Sequence, residues 1–403
     1  MGKTAKLVMV TEANNNKYYN MFEQGDGTFK VEYGRVDSSA QHASYPMSQW
    51  DKKHNEKTRK GYKDITELYA IKESTGSKTS DPAFISNDLY VKQLIEDLQK
   101  WANNTVTQNY KVSSKNVTKK MVDEAQLIVD KIAAVYNSNF TKEDLNKLLL
   151  ELFMVIPRKM GNVKDYLIGD NFSNDAVGKI IENEQSILDT LAGQVAIQEP
   201  EAEEVTVDGD AKMTGLLDSM GIEMTHVDDP STIAMVKKLM GDSVNLFSRL
   251  FQVKNHKTEK RYQTVSAENE KLLFHGSRNQ NFFNILQTGM LIRPAGVITA
   301  GSMFGDGIYF ATKARKSIGY TSLSGSYWAN GNNSKAYLAL FSVNLGKHKD
   351  VYKHDSSCYS FSEKTIAPHN STFAHAGPSL MNDELIVYNP NRCTIKYFIE
   401  IKN

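Results

Sequence analysis

The sequence has few cysteines, no long apolar run and almost no net charge. Its two cysteines, Cys358 and Cys393, are too few for a disulfide framework or for a zinc finger of the usual ligand count. We therefore expect an intracellular, reducing compartment. No apolar run approaches the roughly 20 residues that a helix needs to span a bilayer, so no membrane partner is expected. With a formal net charge of +1, any binding of nucleic acid has to come from a local basic patch.

The first residues also lack a targeting signal. MGKTAKLVMVTEANNN has neither the apolar core nor the cleavage site of a secretory signal, and Lys6 stands where myristoylation requires serine or threonine. A chain of 403 residues is long for a single core, and 40% hydrophobic with 24% charged residues is typical of a globular protein. The composition therefore predicts two or three globular domains.

Residues 1–75 predict a small β domain with a basic helix. QGDG (24–27) predicts a hairpin turn, and WDKKHNEKTRKGYK (50–63) predicts a helix with six Lys or Arg against two acids. By itself, that excess favours a solvated helix face over a phosphate-binding surface. Three β-branched and aromatic runs predict strands: KLVMVT (6–11), KYYNMFE (17–23) and TFKVEYGRV (28–36).

Residues 87–193 change to helical periodicity. The segment at 141–157 opens with a capping-box pattern at Thr141 and Asp144 and stops at Pro157. Several amphipathic helices joined by short loops predict a bundle. The apolar spacing predicts helices at 89–101, 121–136, 141–157 and 176–192.

The last region, about 213–403, mixes helix and strand. It follows EPEAEEVTVDGDAK (199–212), an acidic segment without aromatic residues whose composition is that of a linker. GSMFGDGIYF (301–310) matches neither the phosphate-binding loop nor the dinucleotide fingerprint, and alone it favours a tight turn into a strand. We predict a helix at 231–250 and strands at 271–275, 336–343, 384–388 and 394–401.

Three polar residues in this region are candidates for chemistry. His275 follows one predicted strand, Tyr309 lies in another after the glycines, and Glu384 opens a third. Glutamate is depleted in strands and is costly to bury without a partner. Each residue alone has an ordinary alternative: a strand-edge histidine, a core tyrosine and a solvent-facing glutamate. The spacing does not decide between these alternatives and a site.

The segments around these residues resemble the catalytic domain of the poly(ADP-ribose) polymerases, which are diphtheria-toxin-like ADP-ribosyltransferases. The resemblance rests on LLFHGSRNQNFFNIL, GSMFGDGIYFATKARKSIGYTS and NDELIVYN, which occur in the family's order and carry its His-Tyr-Glu triad. Upstream, residues 88–195 resemble the helical regulatory domain. Residues 5–75 resemble a WGR domain through Tyr33-Gly34-Arg35 and KTRKGY. The resemblance covers the whole chain and is most specific in the catalytic region.

The resemblance implies an α+β multidomain protein. It implies a small, mainly antiparallel β WGR domain at 1–78, an all-α helical regulatory bundle at 86–198, and a mixed α/β ADP-ribosyltransferase domain of the diphtheria-toxin-like type at 210–403. The implied enzyme is a NAD+ ADP-ribosyltransferase, a glycosyltransferase of the pentosyltransferase class. NAD+ is its substrate, and no metal is expected.

The resemblance also implies a role for each site residue. Glu384 would stabilise an oxocarbenium-like transition state, and Lys316 would orient the Glu384 carboxylate. His275 would bind the adenosine ribose, and Tyr309 and Tyr320 would sandwich the nicotinamide ring. The remaining NAD contacts are expected from Gly276, Ser277, Arg293 and Ser317, of which Gly276 and Ser317 would bind the nicotinamide amide.

Four positions depart from the family's common pattern. Ser302 stands where tyrosine is frequent, Asp306 where lysine is frequent, and Leu291 where arginine is frequent near the adenine site, with Arg293 as its substitute. In the WGR-like segment, Tyr33 replaces tryptophan but keeps a flat face for stacking on a DNA end. These changes bear on NAD affinity and acceptor geometry more than on the reaction.

The implied function is a DNA-break-activated poly(ADP-ribose) polymerase of the nucleus, acting in the DNA damage response and DNA repair. In this hypothesis the helical domain is autoinhibitory and blocks NAD access until DNA docks on the WGR domain. DNA breaks or ends are the expected partners, and the chain is expected to be monomeric off DNA. DNA contacts are expected from Tyr33, Arg35, Lys57, Arg59 and Lys60, through backbone phosphates rather than base readout.

Protein acceptors, including the chain itself, complete this hypothesis. Acidic residues of the linker are candidate self-modification sites: Glu199, Glu201, Glu203 and Glu204. Two alternatives stay open. One is an enzyme that mainly transfers single ADP-ribose units, and the other is an inactive scaffold that binds DNA ends.

Overall fold

The computed structural model of the chain describes residues 2–69, 88–110, 117–136, 140–198, 216–292 and 303–403. The chain forms two compact units, one of residues 1–77 and 103–199 and the other of residues 78–102 and 200–403. The predicted linker 199–212, with its four candidate glutamates, lies outside the described residues.

The first unit contains a five-stranded antiparallel sheet in the order β4-β3-β2-β1-β5. The predicted hairpin turn is confirmed, since Gly25 and Gly27 both adopt φ of 81°, which favours glycine. The inward-facing residues of the strands pack around Trp50 of helix α1 (Trp50–Arg59). The strands are β1 (Thr4–Thr11), β2 (Asn15–Glu23), β3 (Thr28–Arg35), β4 (Gln41–Pro46) and β5 (Lys63–Asp64).

Three further helices of the described residues lie wholly in the first unit, and the helices predicted at 121–136, 141–157 and 176–192 are confirmed there. Helix α3 packs against α4 and α5, and α4 also packs against β1. The capping box is confirmed, because the Thr141 side chain accepts from the Asp144 amide while Asp144 accepts from the Thr141 amide. The helices are α3 (Lys119–Tyr136), α4 (Lys142–Val155) and α5 (Asn174–Gln198). Helix α2 (Leu89–Asn109) runs longer than predicted, and its residues through Ala102 belong to the second unit.

A buried ion pair lies inside the first unit. Arg158 contacts Glu184 of α5, and both side chains are almost fully enclosed, at 2% and 6% exposed. The guanidinium also lies 5.2 Å from the ring centroids of both Phe153 and Tyr166. Asn16 of β2 donates to the Arg158 carbonyl at 2.9 Å. Arg158 therefore contacts α5 through its side chain and the sheet through its backbone carbonyl.

The second unit contains two sheets. The larger is ordered β6-β7-β14-β10-β8 and the smaller β11-β12-β13-β9. All pairings in both sheets are antiparallel except β11 with β12. The larger sheet comprises β6 (Ile222–His226), β7 (Phe247–Asn255), β8 (Glu270–Gly276), β10 (Lys335–Asn344) and β14 (Cys393–Lys402). The smaller comprises β9 (Ile308–Phe310), β11 (His348–Val351), β12 (Ser371–Ala374) and β13 (Glu384–Val387).

Short helices flank these sheets. One face of the larger sheet packs on α7 and α10 through a core that includes Val236, Phe274 and Leu338. Phe282 of α9 meets Phe398 of the larger sheet edge to face at 4.9 Å. The helices are α6 (Leu216–Ser219), α7 (Pro230–Met240), α8 (His256–Tyr262), α9 (Asn279–Thr288) and α10 (Ala314–Ile318).

The predicted helix at 231–250 is wrong beyond its first half. Helix α7 ends at Met240, because Gly241 adopts φ of 55°, and a 3₁₀ turn follows to Leu246. Residues 247–255 then form β7, whose Leu250 and Phe251 are both buried on opposite faces of the sheet. A strand buried on both faces has no clean alternation, so its apolar residues resemble a helical pattern.

Two reciprocal hydrogen bonds join the sheets. Phe274 donates to the Ala311 carbonyl and Ala311 donates to the Phe274 carbonyl, each at 2.9 Å. The end of β8 is thereby fixed beside the end of β9. Within the described residues, no helix is long and apolar enough to cross a membrane, and no group of three or more His, Cys, Asp or Glu is arranged to hold a metal ion.

Candidate active site

The structure brings the three catalytic-region segments together at the junction of the two sheets. His275 ends β8, Tyr309 lies in β9, and Glu384 begins β13. Strand β13 pairs with β9, with Ile386 opposite Tyr309. Residues of α10 close the arrangement, because Lys316 contacts Glu384. Residues that lie far apart in the chain therefore form a continuous ring of contacts.

His275 is held in a defined tautomer. Its Nδ1 lies 3.0 Å from the carbonyl oxygen of Tyr309. A carbonyl only accepts, so Nδ1 carries the proton and donates. The rings of Phe310 and Phe341 meet the imidazole edge to face at 6.1 and 6.2 Å. Burial lowers the pKa of His275, which leaves Nε2 of the neutral ring as a hydrogen-bond acceptor.

Gly276 lies directly against α10. A Cβ atom added at Gly276 would lie 1.9 Å from the carbonyl oxygen of Ser317, which no side chain tolerates. Ser317 itself is buried, at 4% exposed. Glycine at this position therefore lets the backbone after His275 approach α10. The predicted contact of Gly276 with a ligand stays a prediction.

Tyr309 fixes the glycine-rich turn that precedes it. Its hydroxyl donates to the Gly305 carbonyl at 2.8 Å and accepts from the Phe304 amide at 2.9 Å. Burial raises the pKa of this hydroxyl, so it stays neutral. Gly305 adopts φ of 77°, and a Cβ there would lie 2.0 Å from the Phe361 carbonyl. The turn therefore depends on both the tyrosine and the glycine.

Glu384 and Lys316 form a buried ion pair at the centre of the ring. The lysine ammonium contacts Oε1, and the two side chains are 10% and 14% exposed, respectively. Oε2 of Glu384 is buried and has no hydrogen-bond partner among the described residues. Burial lowers the pKa of Lys316 to about 8, an effect that the neighbouring Asp383 opposes. A buried carboxylate oxygen without a donor is costly and is suited to accept from a bound molecule.

Of the other residues predicted to bind NAD or to depart from the family pattern, some are described by the structure and others lie outside the described part of the chain. The hydroxyl of Ser277 accepts from Asn281 of α9 at 3.2 Å. Tyr320 follows α10, and its ring lies nearly parallel to that of Trp328. Leu291 is 52% exposed. Arg293 and Ser302 lie outside the described residues.

The residues predicted to contact DNA all lie in the first unit. The Tyr33 ring packs against Tyr19 at 5.8 Å, and the Lys57 ammonium lies 4.3 Å from the centroid of that same Tyr19 ring. Arg59 is exposed at the end of α1, and the following Lys60 pairs with Glu56 at 2.7 Å. Tyr33 and Lys57 therefore form one aromatic and cationic cluster.

Arg35 has a different environment. Its guanidinium donates to the carbonyl and side-chain oxygens of Asn14 at 2.7 and 2.9 Å and to the carbonyls of Met160 and Gly161 at 3.1 and 2.8 Å. This side chain is therefore engaged in joining β3 to the segment after α4. The long-range contact, over 125 positions, left no signal in the sequence.

Two residues near the site were missed by the sequence analysis. Asp383 raises the pKa of Lys316 and accepts from the Ala376 amide at 2.8 Å, and it belongs to NDELIVYN without having been singled out. Trp328 lies on Tyr320, and a tryptophan in the polar loop SGSYWANGNN was the signal that could have identified it.

Comparisons with known proteins relate this part of the chain to a family. Residues 232–403 match the family model of the poly(ADP-ribose) polymerase catalytic domain. Invertebrate iridescent virus 6 has a putative poly [ADP-ribose] polymerase-like protein, 100L, that is 32% identical over 162 residues, which is 38% of this chain and 84% of that protein. Its uncharacterized protein 101L is 37% identical over 190 residues, covering 47% of this chain and 76% of that protein.

A longer match reaches beyond the catalytic region. Poly [ADP-ribose] polymerase 1 of Xenopus laevis is 23% identical over 309 residues, covering 71% of this chain but 31% of that protein. Residues 232–403 thus form a NAD+ ADP-ribosyltransferase catalytic domain, and the chain belongs to the poly(ADP-ribose) polymerase family.

Proposed function

We propose that this protein is a DNA-break-activated poly(ADP-ribose) polymerase that modifies itself and other proteins. The observation that carries the proposal is the buried Glu384 carboxylate, which Lys316 holds through one oxygen while the other has no donor among the described residues. A fixed carboxylate of this kind is the natural stabiliser of a sugar cation.

The reaction would break the bond between nicotinamide and ribose of NAD. Positive charge would develop on the ribose in the transition state, and the Glu384 carboxylate would stabilise it electrostatically. Oε2 would accept from a ribose hydroxyl, which would supply its missing hydrogen bond. Lys316 would act as a positioning residue by holding Oε1. Glu384 would also polarise the hydroxyl of the acceptor, which attacks the anomeric carbon as nicotinamide leaves.

The ring of contacts suggests how NAD would be held. Nε2 of His275 would accept a hydrogen bond from a hydroxyl of the adenosine ribose, since Nδ1 is already used. The backbone of Gly276 and the hydroxyl of Ser317 would bind the nicotinamide amide, with the ring between Tyr309 and Tyr320. Ser277 and Arg293 are proposed as further contacts.

The first unit would supply the DNA response. Arg59 and Lys60 are exposed at the end of α1, close in sequence to Lys57, which supports a phosphate-binding surface. Tyr33 would offer its ring to a DNA end. Arg35 would contribute charge to this surface, although its guanidinium is already bound to carbonyl oxygens.

Regulation and cellular role follow the same proposal. A WGR-like module at 1–78 and a helical module at 86–198 would keep the catalytic module at 210–403 inactive until DNA binds. The Xenopus match over 71% of the chain supports upstream modules of this kind. The protein would be monomeric off DNA and would act in the nucleus in the DNA damage response and repair.

A labelling experiment tests the proposal. The full chain is incubated with labelled NAD, with and without broken duplex DNA, and the products are sized on a gel. We expect long, DNA-stimulated products that disappear in Glu384→Gln and persist in Glu363→Gln, which changes an exposed glutamate. Unchanged labelling in Glu384→Gln would refute the catalytic assignment. Labelling without DNA stimulation would refute the regulation, and products of single-unit size would favour the mono-transferase alternative.

A further inference from the structure

The loop after Tyr320 exposes two large aromatic side chains. Tyr327 is 74% exposed and Trp328 is 53% exposed, within the otherwise polar sequence SGSYWANGNN. The chain contains three tryptophans, and Trp50 is buried at 4% exposed. Two adjacent exposed aromatic rings form an apolar patch, and such patches mark interaction sites.

The ring geometry connects this loop to the proposed nicotinamide site. The Trp328 ring lies 6.0 Å from the Tyr320 ring with an interplanar angle of 18°, which is an offset stack. Tyr327 meets Trp328 edge to face at 4.6 Å and 88°. The Trp328 ring therefore limits rotation of the Tyr320 side chain away from its present orientation.

The backbone holds Trp328 in place. The amides of Trp328 and Ala329 both donate to the Gly319 carbonyl, at 2.9 and 3.0 Å. A Cβ atom at Gly319 would lie 3.0 Å from Cδ1 of Trp328, so the indole ring lies directly on the end of α10. Further along the loop, the Gly331 amide donates to the Ser326 hydroxyl at 2.7 Å.

The far end of the loop is also closed. Ser324 donates to the Asn333 carbonyl at 2.8 Å, and Asn333 donates to the Ser322 carbonyl at 3.0 Å. A Cβ at Gly331 would lie 2.4 Å from the Leu323 carbonyl, so the loop returns close to its own start. A surface loop with this many internal bonds presents its tryptophan in one orientation.

We propose that Trp328 is a positioning residue of the NAD site that holds the Tyr320 ring in the orientation that stacks against nicotinamide. The inference rests on the proposed role of Tyr320 and deepens it. Since the Tyr320 ring would contact nicotinamide in the ground state and in the transition state alike, loss of the stack weakens NAD binding and leaves the chemical step nearly unchanged.

The kinetic test compares Trp328→Ala with Trp328→Phe in the full chain. In Trp328→Ala we expect the KM for NAD to rise about two- to tenfold, the range for losing one aromatic pair, while kcat stays within about twofold. In Trp328→Phe, which keeps an aromatic ring at this position, we expect most of the native affinity for NAD to be retained. Tyr352→Ala removes another exposed aromatic ring, 67% exposed, and leaves KM unchanged. An unchanged KM in Trp328→Ala, or a loss confined to kcat, overturns the proposal.

Fluorescence gives a readout that needs no turnover. Titration with free nicotinamide is expected to change tryptophan emission saturably in the native protein. The saturable component disappears in Trp328→Phe, whereas it persists in Trp101→Phe. A saturable component that survives in Trp328→Phe, or is absent from the native protein, contradicts the inference.

The two readouts separate this inference from the proposed function. If the native protein transfers no ADP-ribose but shows the Trp328-dependent nicotinamide signal, the function fails and the inference stands. If transfer occurs and the Trp328 variants match the native protein in KM and fluorescence, the inference fails and the function stands.

Discussion

Each of the two units buries an ion pair, and the two pairs differ in which of their atoms lacks a hydrogen-bond partner among the described residues. In the first unit, Arg158 and Glu184 enclose each other, and the atom without a hydrogen-bond partner among the described residues is Nε of the arginine. In the second unit, the corresponding atom is Oε2 of Glu384, although Lys316 contacts the other oxygen.

The chemical nature of the unbonded atom separates structure from function. The Arg158 guanidinium is covered by two aromatic rings, which attract a cation and offset part of the cost of burial. Oε2 of Glu384 has no hydrogen-bond donor among the described residues. A buried acceptor of this kind costs about 1–3 kcal/mol until a donor arrives, and NAD would bring one. The first pair is thus enclosed by the fold, and in the proposed mechanism the second pair is completed by a ligand.

Breaking the structural pair gives the largest expected effect. Glu184→Gln leaves the Arg158 charge buried without its partner, so the free energy of unfolding should fall by about 3–5 kcal/mol. Urea denaturation followed by circular dichroism measures it. Glu143→Gln, which alters a glutamate that is 74% exposed, should change stability by less than about 0.5 kcal/mol. Equal effects of the two changes would show that the buried pair does not stabilise the fold.

Breaking the site pair should affect catalysis instead. Glu384→Gln should lower the rate of ADP-ribose transfer by about 10²–10³-fold, as expected for loss of a preorganised electrostatic stabiliser. The free energy of unfolding should change much less than in Glu184→Gln, because Lys316, whose pKa burial already lowers to about 8, can release its proton when the carboxylate is removed, whereas Arg158 stays charged. The same urea titration and a single-turnover assay test both statements. A Glu384→Gln protein as unstable as Glu184→Gln would make the second pair structural as well.

A smaller effect is expected at Gly276, where the backbone of β8 lies against the backbone of α10. Gly276→Ala places a Cβ at 1.9 Å from the Ser317 carbonyl, so β8 and α10 must separate. We expect about 1–3 kcal/mol of destabilisation together with a raised KM for NAD. Gly169→Ala has open space around its Cβ and serves as the control in both measurements. Full NAD affinity in Gly276→Ala would show that the close approach is not needed for binding.

The smallest effect is a pH dependence of opposite sign for activity and stability. Since the pKa of Lys316 lies at about 8, the ammonium that holds Glu384 is lost as pH rises through that value, and transfer should decline by at most about tenfold per pH unit. The unfolded chain, with the ordinary pKa of 10.5, binds more protons between these two values, so this group's contribution to stability should rise with pH in the same window.

Lys316→Arg checks the assignment of this pH dependence. An arginine stays protonated throughout the range, so the alkaline decline should disappear even if the rate is lower. A decline that persists in Lys316→Arg would point to another group.

The sequence predicted local features well and distant contacts poorly. The hairpin at Gly25 and Gly27 and the cap at Thr141 follow from backbone conformation and neighbouring side chains. The change from helix to strand at 247–255 could not be predicted in this way, because a strand buried on both faces lacks the alternation of apolar and polar residues. Its residue type at the start of a strand made Glu384 a candidate, but family resemblance, rather than spacing, decided between a catalytic residue and an ordinary solvent-facing glutamate.

The contacts of Arg35 and Trp328 were not predictable for different reasons. Arg35 binds carbonyls more than a hundred positions away, and any carbonyl serves as an acceptor, so sequence carries no record of the pairing. Trp328 depends on how its loop folds back onto Gly319, which is set by backbone hydrogen bonds. Local propensity decides neither contact.

The reciprocal bonds between Phe274 and Ala311 have a consequence for hydrogen exchange. Both amides are bonded across the junction of the two sheets, and both residues are buried, at 1% and 2% exposed. Their exchange therefore requires the sheets to part, and it should proceed with the free energy of opening the whole catalytic unit rather than by local fraying. A site built on such a junction is assembled in one cooperative step, with His275 and Tyr309 entering and leaving their positions together.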